Sequence, residues 1–212
     1  MSADAISLTE LETDALTEIV NIGVSRAASN LRKMVGAHVL LSIPAIEVVS
    51  QRRAARLISE REITQLVAIR QDFDGPFSGR ALLIFPESNS LELVRAVTGG
   101  DLSPQEVLDI EEDTLAETGN VILNSCLATM ANMLQRSLTM TIPEVLRGDG
   151  AKLFDVWEGS NSDGLVLFLY IDFAVRERDI RGYIAMLMDL PSLTALKTLL
   201  GEFIERIVGD DG

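Results

Sequence analysis

The stretch DALTEIVNIGVSRAASNLRKMVGAHVLLSIP, residues 14–44, organises the reading of this chain. At 100° per helical residue, Glu18 falls roughly 40° and Asn21 roughly −20° from Asp14, so the three share one stripe. Leu16, Val20, Gly23, Ala27, Leu31 and Met34 fall between roughly 180° and 260°, on the opposite face. The spacing predicts a helix that packs by its apolar face and presents a carboxylate–carboxylate–amide edge. Gly36 supplies a stop. HVLLSI, residues 38–43, then reads as a short strand before Pro44, with residues 46–49 continuing extended.

The same arrangement recurs in DTLAETGNVILNSCLATMANMLQRSLTMTIP, residues 113–143. Asp113, Glu117 and Asn120 repeat the polar spacing, and Leu115, Gly119, Ile122, Cys126, Met130 and Met133 repeat the apolar face. Pro143 follows Asn120 at the distance by which Pro44 follows Asn21. The pairs Glu12/Glu111, Leu16/Leu115, Met34/Met133 and Ile43/Ile142 match in that register. A single stripe reads as an ordinary solvated helix face. Two copies locked to the same downstream proline argue against that reading.

Working outward, Ser7 and Thr9 are candidate N-caps, with Glu10 and Glu12 closing a capping box at the first helix. Residues 51–59 read as a short basic helix with a solvated charged face. Residues 62–73 read as a strand, DGPFSG (74–79) as a turn and residues 80–85 as a second strand, which together make a hairpin. Residues 88–98 read as a helix stopped by Gly99-Gly100. Ser103-Pro104-Gln105-Glu106 is a strong helix start leading into the second motif helix, residues 111–136. Residues 138–142 read as its strand. After a less regular stretch around Trp157, residues 164–175 and 180–190 pair as two apolar strands. A closing helix over 191–205 is expected to break at Gly201, and the final GDDG to be disordered.

The pattern helix–strand–hairpin–helix therefore occurs twice, over about 7–100 and 103–207, with only Leu102 and Ser103 between the halves. The expectation is an α+β fold in which residues 1–212 form one pseudo-twofold domain, its hairpins merged in a mostly antiparallel sheet flanked by helices.

Composition bounds the function. The chain has 212 residues, ample for a sizeable core. Its net charge of −14 disfavours nucleic acid and anionic membranes as partners. The one cysteine, Cys126, lies on the apolar face of its helix and reads as a small buried hydrophobe. The one histidine, His38, lies at a strand end outside the stripe. No basic region followed by an apolar run opens the chain, and the longest apolar run, 165–171, is far too short to span a bilayer. A cytoplasmic protein is expected.

Paired carboxylates on a helix suit a metal site, general acid–base chemistry or recognition. Metal sites of this kind usually add histidines, and none is near. Acid–base work wants a carboxylate in a dry cleft, which an exposed stripe lacks unless a partner covers it. The asparagine narrows the choice: an amide donates to one group and accepts from another, so it orients rather than abstracts. Orienting a water suffices where the scissile bond is labile and the transition state loose, as in phosphoryl transfer.

Asp-x-x-x-Glu-x-x-Asn, followed after 22 residues by proline and present twice, resembles the motif of the CheC-type chemotaxis phosphatases, relatives of CheX and FliY. The resemblance covers nearly the whole chain, the DGPFSGRALLIF stretch included. It implies a phosphatase whose substrate is the aspartyl phosphate of a CheY-type response regulator. Glu18 and Glu117 correspond to carboxylates that dock the regulator's active-site lysine. Asn21 and Asn120 correspond to the amide that enters the regulator's site and aligns the attacking water. Asp14 and Asp113 would give polar support, and Pro44 and Pro143 would fix the turn after the strand. No intrinsic cofactor is implied; the magnesium belongs to the regulator. Ala15 and Ile22 beside the first edge, and Thr114 and Val121 beside the second, would flank the contact. The resemblance fits the stand-alone two-site CheC type best and implies the receptor deamidase CheD as a further partner. The alternative is a non-catalytic binding module for the regulator or for CheD.

Overall fold

The computed structural model describes residues 7–99, 102–156, 164–175 and 178–210. In chain order the elements are α1 (Glu10–Val35), β1 (Val39–Ser50), α2 (Gln51–Arg61), β2 (Leu66–Asp74), β3 (Gly79–Pro86), α3 (Glu87–Thr98), α4 (Pro104–Met133), β4 (Thr139–Met140), β5 (Glu144–Gly148), α5 (Gly150–Leu153), β6 (Leu165–Val175), β7 (Arg178–Met188) and α6 (Leu190–Asp210).

Both motif helices start where the sequence places a cap. Thr9 accepts from the Glu12 N–H while Glu12 reaches back to the Thr9 N–H, and Ser103 and Glu106 do the same at α4. Gly36 ends α1 in the left-handed conformation that glycine adopts without strain.

The strands form one antiparallel sheet in the order β1-β6-β7-β3-β2-β4, with β5 also on β2. The hairpins β2–β3 and β6–β7 join at the centre through β3 and β7. Their outer neighbours are exchanged: β1 of the first half pairs with β6 of the second, and β5 of the second pairs with β2 of the first. The fold is thus α+β, duplicated about a pseudo-twofold between β3 and β7.

Helices α1, α3, α4 and α6 cover one face, burying Leu16, Leu31, Leu93, Leu115, Met130, Leu196 and their neighbours against β1, β2, β3, β6 and β7. Helices α2 and α5 cover part of the other, where Ile58, Leu153 and Phe154 meet Leu66, Leu82 and Phe168. Each fully buried Leu, Ile or Phe contributes about 1.5–3 kcal/mol.

Several elements differ from the sequence reading. Glu62 is not strand: it caps α2, and Ile63 is 99% exposed, so β2 starts only at Leu66. Met34 is exposed while Ile19, Val24 and Val35 are buried, because α1 packs against α4, α6 and β1 at once and buries a wider face than one stripe. The strand expected over 138–142 shrinks to Thr139–Met140. Helix α6 runs through Gly201 to Asp210, since Leu193, Leu196, Leu200 and Phe203 keep one apolar stripe across it. Trp157, Gly100 and the last two residues lie outside the described residues.

Candidate functional site

Asp14, Glu18 and Asn21 lie together on the outer side of α1, and Asp113, Glu117 and Asn120 on that of α4. The four carboxylate residues are exposed and both asparagines half-buried. Among the described residues none of the four carboxylates has an ion-pair partner. Ala15, Ile22, Thr114 and Val121 are half-buried flanks. His38 is exposed and remote from either stripe in sequence. Cys126 is fully buried on the inner side of α4, where burial pushes its thiol up to about 12, so it is no nucleophile.

Each edge is backed by a bulged strand. On β1 the pairing runs from Ser42↔Asp172 to Ala45↔Tyr170, so Ile43 and Pro44 together face the single residue Ile171. A proline is at home there because it has no N–H to give to the ladder. The Ile43 N–H instead donates to Asn21 Oδ1 at 3.1 Å. A main-chain donor cannot reorient, so it fixes the amide with its oxygen inward and its Nδ2 outward.

In the second copy, Thr141 bonds Asp72 and Glu144 pairs with Arg70, so Ile142 and Pro143 face Gln71. The support there is different. Ile142 is 86% exposed where Ile43 is 3%, and its N–H does not reach Asn120. Asn120 Oδ1 accepts instead from Asn124 Nδ2 at 2.7 Å and Gln71 Nε2 at 3.3 Å. At both edges the outcome is the same: an inward oxygen held by a donor, and an Nδ2 with no protein acceptor among the described residues.

The six motif residues lie on the two edges where helical periodicity puts them, but Pro44 does not follow a strand as a turn: β1 runs through it as a bulge. The sequence reading also missed Gln71 and Asn124. The available signal was a glutamine standing in an otherwise apolar strand face, Val67, Ile69 and Phe73.

Comparison with known proteins fits this geometry. The family model described as "Chemotaxis phosphatase CheX" matches residues 67–166, which contain the whole second motif. The flagellar motor switch phosphatase FliY of Bacillus subtilis is 23% identical over 202 residues, covering 93% of this chain and 50% of FliY. The chain is thus similar to proteins of the CheC, CheX and FliY type. The CheY-P phosphatase CheC of B. subtilis is 22% identical over 209 residues, 91% of this chain and 95% of CheC. The chain thus spans about half the length of FliY and nearly all of CheC. Among solved structures, Thermotoga maritima FliY superposes with a TM-score of 0.71 at 15% identity, covering 93% of this chain and all of that one. CheX from the Borrelia burgdorferi CheX–CheY–BeF3–Mg complex gives 0.51 at 15%, covering 82% of this chain and 99% of that one. These likenesses establish the fold. Among the described residues, no helix is long and apolar enough to cross a membrane.

Proposed function

We propose that this chain hydrolyses the aspartyl phosphate of a CheY-type response regulator, at two sites. The observation that carries the reading is the pair of asparagines, each with its oxygen tied inward and its NH2 without an acceptor, beside a glutamate without an ion-pair partner, among the described residues. The names of its relatives, a CheY-P phosphatase and a complex of CheX with CheY, beryllofluoride and magnesium, support the same substrate class.

Glu18 or Glu117 pairs with the regulator's active-site lysine and sets the register of docking, a charge-assisted contact. Asn21 or Asn120 enters the regulator's site and aligns a water with the phosphorus. The water oxygen forms the new P–O bond as the bond to the aspartyl oxygen breaks. The aspartate leaves as carboxylate and the water's protons stay with the released phosphate. Magnesium, carried by the regulator, neutralises the phosphoryl oxygens. The amide abstracts no proton. Placing one water in line is enough for a ~100-fold acceleration, which requires about 2.7 kcal/mol.

The test is phosphate release from a purified phosphorylated regulator. Asn21→Ala combined with Asn120→Ala abolishes acceleration while the circular dichroism spectrum is unchanged. Glu18→Ala with Glu117→Ala raises KM instead. Full activity in the double asparagine variant refutes catalysis by the amides; binding of the regulator without any acceleration by the unaltered chain establishes a docking module in its place.

A further inference from the structure

Gln71 is out of place in the core. It lies on the helix-facing side of β2 between Ile69 and Phe73 and is only 1% exposed. The pseudo-twofold puts an isoleucine there: Ala45 faces Tyr170 as Glu144 faces Arg70, so position 71 corresponds to Ile171, itself 2% exposed. Burying an amide group without a hydrogen-bond partner is costly, because it gives up its bonds to water. One of the two polar atoms of this amide, Oε1, has no protein partner. Packing alone does not account for the residue.

Its other atom does a specific job. Nε2 donates to the Thr141 carbonyl at 2.8 Å, to Asn124 Oδ1 at 3.0 Å and to Asn120 Oδ1 at 3.3 Å. The Thr141 carbonyl is main chain and cannot exchange donor for acceptor, so it fixes which end of the Gln71 amide points inward. That end is a donor, and it therefore selects the oxygens of both asparagines. Asn124 Nδ2 then closes the cluster on Asn120 Oδ1 at 2.7 Å. Asn120 cannot flip without facing its NH2 against two donors.

We propose that Gln71 is a positioning residue for the site at Asn120, holding that amide with its NH2 toward the phosphoryl group, with Asn124 as its second contact. The two sites are then organised by different means: a main-chain N–H at Asn21, a three-amide cluster at Asn120. The proposal rests on the hydrolytic role of Asn120 given above. Gln71 touches no substrate and acts only through its neighbour.

The test isolates each site. In an Asn21→Ala background Asn120 acts alone, and adding Gln71→Met, of similar length but without a donor, lowers kcat for phosphate release about tenfold while KM stays within about twofold, because docking by Glu117 is untouched. In an Asn120→Ala background the same substitution costs several-fold less. Asn124→Ala, a half-buried and milder change, gives a smaller fall in the first background. A second readout needs no activity: the Asn120 side-chain NH2 resonance, assigned by its loss in Asn120→Ala, is ordered in the parent and becomes mobile in Gln71→Met. An unchanged kcat with an unchanged amide overturns the proposal, as do equal losses in both backgrounds, which mark a general structural effect. If the amide loosens but neither background hydrolyses the phosphorylated regulator, the positioning stands and the phosphatase reading falls.

Discussion

The two motif copies spell the same three residues and support them differently. Under α1, Asn21 leans on a strand whose bulge turns the Ile43 N–H toward it and keeps the Ile43 side chain in the core. Under α4 the bulge sends Ile142 into solvent, and a polar residue from the other half of the chain takes over. The swap needs α4 to lie close to β2. Gly119 permits that: a Cβ there would sit 2.5 Å from Ile69 Cγ2 and 2.7 Å from Ile69 Cβ. The position one motif earlier is Val20, which carries a full side chain. The outward carboxylate–amide edge is thus kept in both copies, while what lies beneath differs between them.

The sharpest way to break this comparison is to put the missing methyl back. Gly119→Ala forces α4 off the β-branched Ile69, which has no flexible end to move aside. Overpacking costs about 1–3 kcal/mol, only partly offset by about 1 kcal/mol of helix propensity. We expect the melting temperature to fall by several degrees, with the loss of hydrolysis concentrated at the Asn120 site. Gly23→Ala is the control. Its Cβ would meet the Cys126 Cα at 2.9 Å, so the α1–α4 crossing loosens, without selective effect on either edge. Equal stability of wild type and Gly119→Ala in a thermal melt would show that close approach is not what seats the cluster.

Much of this was legible beforehand, because helix periodicity, capping boxes and the doubled Asn-to-Pro spacing are local signals. Asp14, Glu18 and Asn21 share an edge in any helix, whatever it packs against. The exchange of β1 and β5 between the hairpins is long-range and leaves no local trace. Gln71 is invisible for the same reason: its partners, Asn120, Asn124 and Thr141, are 49 or more residues away. Met34 and Gly201 were misread because an amphipathic stripe says which face is apolar, not how many neighbours will cover the helix.

A smaller effect comes from Glu12 and Glu111, the same position in the two copies. Glu111 is 5% exposed in the interior of α4 and accepts from Arg147 at 2.8 Å and Ser90 at 3.1 Å. Glu12 closes the α1 capping box on the Thr9 N–H at 2.7 Å and lies 3.4 Å from Lys197. Glu111→Ala is expected to cost about 1–2 kcal/mol in urea unfolding, less than a fully buried pair because Arg147 stays 42% exposed and solvated. Glu12→Ala costs about 0.5–1 kcal/mol, the range of a helix cap. Equal losses would mean that burial does not distinguish the two positions.

The smallest difference is one of pH. Asp72 and Asp172 correspond across the pseudo-twofold, each facing the bulge of an edge strand. Asp72 accepts from Arg70 at 3.1 Å and from Arg80 at 3.2 Å, whereas Asp172 forms no ion pair among the described residues. The hydrogen bond from Arg70, outweighing burial and aided by Arg80, holds the Asp72 carboxyl below its usual value. A carboxyl depressed in the folded state binds its proton first in the unfolded chain. Its contribution is therefore complete above about pH 4, near the ordinary aspartate value, and is lost as pH falls through the folded one. The side chain is 40% exposed, so solvent screens the pair and the contribution stays below about 1 kcal/mol. Asp72→Asn should lower stability slightly and evenly from pH 7 to 5, with the gap to wild type closing on further acidification. Asp172→Asn is the control, since Asp172 has no ion pair among the described residues, and an equal pH-dependent loss there would erase the distinction between the two edges.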